Sequence, residues 1–212
     1  MLSEILSRYK YYVVVFILFT SVQISGQSKI YLFGMGGINY IPMKNFSHFL
    51  HQLSNEKIDE VGFNGSFGIK YFLSENQSVS LSAEVINKNA SYSGGFSGAI
   101  WNFKVIPIGV GYQYLFSDAQ SSFCPFVGLN ASYSFIEIRG QNYSDNPPKQ
   151  NDFVKKNTIG IEPNIGFSYR IVERYYLLTE LKYRAVSDIV FWNKDVNFSG
   201  LIWNVGVQIN IL

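Results

Sequence analysis

Residues 158–185 read TIGIEPNIGFSYRIVERYYLLTELKYRA, and polarity alternates along them with a period of two. Most odd positions are apolar, whereas even positions are charged, polar or glycine, with Tyr176 and Leu178 as the exceptions. Strict alternation predicts β-strands whose two faces differ in polarity. The pattern alone leaves open which face lies inside the protein.

The composition favours one all-β domain in an unusual environment. The chain has 212 residues and a net charge of +2, so nothing indicates a nucleic-acid partner. Charged residues make up 15%, against about 25% in soluble domains. Aromatic residues are frequent, with 18 Phe, 15 Tyr and 3 Trp. Few charges and many aromatic rings are unusual for a cytosolic protein.

The N-terminus has the layout of a secretory signal peptide. Arg8 and Lys10 precede the short apolar run YYVVVFILFTSV, and small residues follow it. The run is shorter than the roughly 20 residues that a spanning helix needs. We therefore predict a signal peptide over 1–26 and a mature domain over 27–212. With Cys124 as the single cysteine, the chain has no intramolecular disulfide.

The mature domain contains eight strand-like segments. Most of them reach the length of about 9–11 residues that a tilted strand needs to cross a bilayer. The predicted segments are 30–41, 60–72, 77–87, 100–116, 122–138, 157–171, 175–186 and 198–211.

Short and long connections alternate along the chain. The short ones are 73–76, 117–121 and 172–174, and the long ones are 42–59, 88–99, 139–156 and 187–197. This alternation is typical of an antiparallel meander with short turns at one rim, as in outer-membrane barrels. We expect the long loops to face outward from the cell, where a surface partner could bind them.

The apolar face belongs on the outside. In the segments at 60–72, 77–87, 122–138 and 198–211, that face is too bulky to fit inside eight strands, whereas the opposite face is rich in glycine and serine. The sequence thus predicts an eight-stranded antiparallel up-and-down transmembrane β-barrel in contact with membrane lipid. A set of charged residues is predicted to face the lumen: Lys70, Glu84, Glu162, Arg170, Glu180, Lys182 and Arg184.

Two interpretations of the lumen charges remain. They could form a gate or proton path, or they could neutralise one another inside a filled barrel, which we favour. Glu162 and Arg184 become cross-strand neighbours if the turn at 172–174 is tight. An eight-stranded barrel leaves no room for an aqueous pore, so a general porin is not expected.

Aromatic residues are predicted to form two girdles at the membrane–water interfaces. The assigned residues are Phe63, Tyr71, Trp101, Tyr112, Tyr114, Tyr133, Phe167, Tyr169, Tyr175, Tyr183 and Trp203, with Phe103 beside Trp101. In segment 100–116 the apolar positions change parity beside Pro107, which predicts a β-bulge there. The facing of segment 30–41 is ambiguous.

The chain resembles a known group of barrels. IPIGVGYQY at 106–114 and PFVGLNASYSF at 125–135, together with the signal peptide and amphipathic strands, resemble the PorT-like outer-membrane β-barrel proteins. More broadly, they resemble small barrels such as OmpA and OmpX. The resemblance implies the fold and a location in the outer membrane of a Gram-negative bacterium.

No catalytic, cofactor or metal site is predicted. His48 and His51 share the first long loop with Glu56 and Asp59, but a solvated loop is favoured over a zinc site. We expect a non-enzymatic barrel, monomeric and in contact with outer-membrane lipid, whose long loops bind a surface partner or have a structural role in the membrane. One alternative is a secreted, soluble lipocalin-like barrel that carries an apolar ligand, and a more distant one is a lipid-modifying outer-membrane enzyme.

The signal peptide generates a first prediction. Because the apolar run is too short to anchor the chain, the mature protein should begin at or near Gln27. Mass spectrometry of protein purified from membranes measures this end directly. Material that retains Met1 would contradict the prediction.

Overall fold

A computed structural model describes residues 30–43, 46, 56–94, 97–142, 149–191 and 194–211. The predicted signal peptide and the two histidines, His48 and His51, lie outside these residues. No helix in the described part of the chain is long and apolar enough to cross a membrane.

Eight long strands and three short ones make up the described structure. The long strands are β1 (Ile30–Tyr40), β3 (Val61–Ser74), β4 (Gln77–Gly94), β5 (Ser97–Leu115), β6 (Phe123–Asn142), β7 (Lys149–Val172), β8 (Tyr175–Val186) and β11 (Gly200–Asn210). The short strands are β2 (Glu56–Ile58), β9 (Ile189–Phe191) and β10 (Lys194–Val196). Each predicted segment corresponds to one long strand.

The eight long strands close into a ring. Each strand pairs antiparallel with its neighbours in the order β4-β3-β1-β11-β8-β7-β6-β5, and β4 also pairs with β5. The first long strand therefore lies beside the last, with Tyr31 opposite Asn210 and Tyr40 opposite Leu201. The predicted eight-stranded antiparallel barrel is confirmed.

The connections on the long-loop side are shorter than predicted. β4 and β5 extend through most of 88–99, and β6 and β7 extend into 139–156 from both sides. Region 187–197 contains β9 and β10, which pair with each other. The prediction was wrong because outward polar residues such as Asn89, Arg139 and Lys155 resemble loop sequence, although they lie on strands.

The outer surface of the barrel is apolar. On β7, Ile165 is 58% exposed, whereas its neighbour Asn164 is 6% exposed. The same alternation resolves the facing of β1, since Tyr31 and Phe33 are buried and Leu32 is exposed. Tyr176 and Leu178, the exceptions in the alternation of β8, are also buried. Odd residues of β1 and even residues of β8 thus face the lumen.

The girdle assignment of Trp101 and Phe103 is wrong, and β5 has no bulge at Pro107. The register with β6 continues unbroken through the pair Pro107–Ser134. Odd residues of β5 therefore face inward along the whole strand, and Trp101, Phe103 and Val105 are almost completely buried. The apolar character of these residues reflects a packed interior at this level.

Most of the other girdle residues project outward. Tyr71 is half-buried. The exposed ones are Phe63, Tyr112, Tyr114, Tyr133, Phe167, Tyr169, Tyr175, Tyr183 and Trp203.

Asn164 and Ile165 provide a test of the face assignment. A fluorophore at position 165 should be quenched by lipid-borne quenchers in reconstituted protein, whereas one at position 164 should not, because only the former faces outward. Ile165→Arg should lower stability by roughly 2–4 kcal/mol, as expected for a charge against lipid tails near the midplane. Shielding of position 165 from lipid in folded protein would show that the apolar face lies inside.

Candidate functional site

The inward side chains of β8 show that the interior is built in three layers. Tyr176 and Leu178 belong to an apolar cluster near the short turns. Glu180, Lys182 and Arg184 follow, all buried. Val186 then joins a second apolar cluster near the long loops. A charged layer therefore separates two apolar ends.

We define the charged layer as Lys70, Glu84, Glu162, Glu180, Lys182 and Arg184. Its centre consists of four side chains in mutual contact. Arg184 Nε lies 2.8 Å from Glu162 Oε1, and Arg184 Nη2 lies 2.5 Å from Glu84 Oε2. Lys182 Nζ lies 2.9 Å from Glu84 Oε2 and 3.4 Å from Glu162 Oε2. Two acids and two bases thus alternate around a closed square.

Strand register creates this square. The pairs Ile161–Ala185 and Asn164–Lys182 fix the β7–β8 register and set Glu162 opposite Arg184. Glu84 reaches the same place from β4, across the lumen. Arg184 is only 1% exposed, so each charge depends on its partners in place of water.

Neutral polar residues complete the hydrogen bonding of the two acids. Asn64 Nδ2 donates to Glu84 Oε1 at 2.7 Å and to Asn204 Oδ1 at 2.6 Å. Ser132 Oγ donates to Glu162 Oε1 at 3.0 Å. Sequence reasoning missed this role, because polarity gives the facing of a residue but not its partner, and Asn64 and Asn204 lie on strands far apart in the chain.

Lys70 and Glu180 lie beside the square, toward the short turns. Lys70 Nζ is 5.9 Å from the ring centre of Phe33 and 5.3 Å from that of Phe126, within the range of cation–π attraction. Both charges line a lumen cavity of about 30 Å³, which is large enough to hold a water molecule.

Arg170 does not belong to the charged layer. It is half-buried near the short turns, where its Nη2 lies 3.4 Å from Ser122 Oγ. It has the same parity on β7 as the buried Glu162, but β7 continues for several residues toward the short-turn rim between the two, so Arg170 lies apart from the square.

The short-turn cluster closes one end of the lumen. The ring of Tyr31 packs 4.9 Å from that of Phe72 and 5.7 Å from that of Tyr176, measured between centroids. Its buried members are Tyr31, Phe33, Phe72, Leu115, Ala119, Cys124, Phe126, Tyr176 and Leu178.

The long-loop cluster fills the other end with strand and loop residues together. Phe46, from the first connection, packs edge-on against Trp101 at 5.7 Å and Phe103 at 5.5 Å. Phe191, from β9, lies 6.2 Å from Phe103. Further buried members are Ile41, Met43, Ile86, Ala90, Ala99, Val105, Ile136, Ile138, Val186, Ile189, Val196, Phe198 and Ile202. The connections thus fold into the barrel.

The described residues contain no group of three His, Cys, Asp or Glu side chains that could hold a metal ion. The charges of the central square are occupied with one another. The site is a filled lumen with two apolar ends, enclosed by a wall that is apolar on its outer side.

A closed antiparallel barrel with this outer wall is the architecture of an integral outer-membrane protein. Solved structures agree with it. OprG from Pseudomonas aeruginosa is 15% identical, with a TM-score of 0.60, over 87% of this chain and 96% of that one. Neisserial surface protein A is 16% identical, with a TM-score of 0.53, over 88% of this chain and all of that one.

The chain belongs to the OmpW family, whose model matches residues 38–208. Outer membrane protein W from Vibrio cholerae serotype O1 is 26% identical over 120 residues, or 55% of each chain. The chain thus spans about half the length of this curated relative. The protein is an integral barrel of the Gram-negative outer membrane. The resemblance to small outer-membrane barrels is confirmed, but a PorT-like assignment is not supported.

The square predicts an energetic coupling between Glu162 and Arg184. Glu162→Gln or Arg184→Met alone should each lower the free energy of unfolding by about 3–5 kcal/mol, because a buried charge loses its partner. The double variant should cost less than the sum, since Glu84 and Lys182 still balance each other. Urea titration of the barrel folded into phosphatidylcholine vesicles measures these values.

Glu173→Gln with Arg174→Met is the matched control, because both residues are exposed in the turn between β7 and β8. This pair should change stability little. Strictly additive effects at Glu162 and Arg184 would mean that their charges do not interact.

Proposed function

We propose that this barrel takes up small apolar molecules at its long-loop end and exchanges them sideways with the membrane, without catalysis. The observation that carries the proposal concerns Val186. This residue packs in the long-loop cluster and also lines a depression on the outer wall. One residue thus belongs both to the apolar interior and to the lining of a depression in the outer wall.

The paired part of β7 and β8 ends at the long-loop side of the wall. Their ladder begins at the pair Gly160–Val186, and β7 continues through 149–159 while the chain after β8 turns toward the interior. Ile189 and Phe191 of β9 are buried in the long-loop cluster. We call the contact of 158–160 with 186–187 the seam.

The seam is held by few interactions. Ser187 N donates to Ile159 O at 3.1 Å, and Thr158 Oγ1 donates to Ser187 O at 2.7 Å. Gly160 keeps this place narrow, since a Cβ there would come within 2.6 Å of Val186 Cγ1. A small opening here would break these two hydrogen bonds and displace Val186.

The depression beside the seam suits an apolar molecule. It measures about 690 Å³ and is lined mainly by small or aliphatic side chains. Among the lining residues, Ala131 and Ala185 contribute little volume, whereas Ile108, Tyr133 and Ile161 are large and apolar or aromatic. An apolar molecule that leaves the interior would enter a surface already shaped for hydrocarbon.

The charged layer favours lateral exchange of apolar molecules with the membrane over their passage along the barrel axis. A molecule moving along the axis would have to break the square of Glu84, Glu162, Lys182 and Arg184, whose members are nearly fully buried. The same charges are unsuited to catalysis, because they are engaged with one another in the middle of the barrel. We further propose that the long-loop end faces the outside of the cell.

A reversible disulfide crosslink across the seam, called the staple below, tests the proposal. Ile159 and Ser187 are opposite each other, so Ile159→Cys with Ser187→Cys should form a disulfide in a Cys124→Ala background. Trp101 is the reporter, in a Trp192→Phe and Trp203→Phe background. In vesicles, 1-bromooctane should quench Trp101 quickly when the cysteines are reduced and slowly when they are oxidised.

Phe167→Cys with Thr179→Cys is the control staple, because these residues are also opposite each other on β7 and β8, nearer the short turns. Its oxidation should leave quenching unchanged. If 1-bromooctane fails to reach Trp101 even in the reduced protein, the interior does not take up apolar molecules and the proposal fails.

A further inference from the structure

A group of basic side chains stands on the outer wall just beyond its apolar band. Along β6 the outward residues change from Tyr133 and Phe135 to Glu137 and Arg139. Lys104 on β5 and Lys155 on β7 are exposed at the same level. The basic patch, defined as Lys104, Arg139 and Lys155, therefore adjoins the membrane surface.

The ladder brings these side chains together. Lys104 is opposite Glu137, and Glu137 is opposite Lys155, so all three lie in one row across three strands. Arg139 stands on the same face of β6, one step further from the membrane. Neighbouring positions in such a row are separated by about 5 Å, a spacing that lets one phosphate contact several of the side chains.

An aromatic ring arranges two of the cations. The Phe153 ring centre lies 5.6 Å from Arg139 Cζ and 5.2 Å from Lys155 Nζ. Both charges are thus held near one ring, with the Arg139 side chain 60% exposed. Cation–π attraction at such distances orients the charged ends without neutralising them.

Neighbouring acids do not neutralise the three positive charges of the patch. Glu137 Oε2 accepts from Arg139 Nη2 at 3.4 Å, and it is the single acid in the row. Of the exposed acids that the structure describes at the long-loop end, Glu60 lies just before β3, and Asp188 and Asp195 lie beyond β8, so none of them stands in the row across β5–β7. An anion with more than one negative charge would complement the patch.

The surface toward the membrane continues as hydrocarbon. Ile106 and Ile108 follow Lys104 along β5, and Ile159 follows Lys155 and Asn157 along β7. These residues lead to the depression beside the seam, which Ile108 and Ile159 line. A ligand of the patch can therefore carry an acyl chain along the wall, which favours a lipid over a free anion.

We propose that the basic patch binds the phosphorylated head group of a lipid A-type glycolipid, with an acyl chain against β5–β7. Such lipids form the outer leaflet of Gram-negative outer membranes. The identification of that leaflet rests on the orientation proposed above, whereas the affinity for a phosphorylated lipid does not. A head group held here would tie the extended strands β5–β7 to the membrane surface.

Native mass spectrometry after mixing purified barrel in neutral detergent micelles with lipid A measures the binding. Each of Lys104→Ser, Arg139→Ser and Lys155→Ser should weaken it about fivefold, as for one basic residue at an anionic membrane surface. The triple variant should bind little lipid A. Glu137→Gln should bind more tightly, because it removes the opposing charge.

Lys156→Ser is the matched control, since Lys156 is exposed on the same strand but has the opposite facing. It should bind lipid A like the wild type. Fully dephosphorylated lipid A should bind weakly to every form. Equal binding of lipid A by the wild type and the triple variant, or equal binding of the dephosphorylated lipid, would overturn the proposal.

A photocrosslinker in place of Asn102, which is outward and opposite Arg139, tests the leaflet in intact cells. Crosslinks to the outer-leaflet glycolipid are expected. Crosslinks to phospholipid alone, with lipid A binding retained in micelles, would show that the long-loop end does not face the outer leaflet. The affinity of the patch for a phosphorylated head group would then still be supported. The 1-bromooctane experiment is independent of both results.

Discussion

Backbone hydrogen bonding in hydrocarbon is the constraint on which this structure depends. Lipid tails offer no partner for N–H and C=O groups, so a sheet that crosses the membrane must leave no open edge. The ladder between β1 and β11 meets this requirement by joining the first and last long strands. All outward and inward positions follow from that closure, because each strand then has one face toward lipid and one toward the lumen.

Closure of eight strands also makes the lumen narrow, and a narrow lumen has to be filled. The chain fills it differently at three levels, with apolar clusters at the ends and charges in the middle. Buried charges are tolerated there because Arg184 and Lys182 each contact both Glu84 and Glu162. Neutral groups such as Asn64 provide further hydrogen bonds to the acids. The centre is therefore a tightly coupled polar core.

Because the interior is filled, the features that distinguish one part of the barrel from another lie on its outer wall. β5, β6 and β7 extend beyond the apolar band, whereas the chain turns inward after β8. This difference in length creates both features on which the proposals rest, the seam at Gly160–Val186 and the exposed outward face of β5–β7. The two features lie on the same side of the barrel, because both arise where β5–β7 extend further toward the long loops than β8 does.

The sequence by itself determined that eight strands cross the membrane as an antiparallel meander and that their apolar face points outward. Period-two alternation fixes facing along a strand, and side-chain volume excludes the apolar face from a narrow lumen. The sequence also indicated Glu162 and Arg184 as neighbours, since the short turn at 172–174 sets the register between β7 and β8. Trp101 was misassigned because apolar residues look alike whether they meet lipid or a packed interior. Only the tertiary structure, in which connections fold into the barrel and Phe46 meets Trp101, decided between these environments. Contacts across the lumen, such as Asn64 with Asn204, likewise depend on closure, which brings together residues that no local pattern connects.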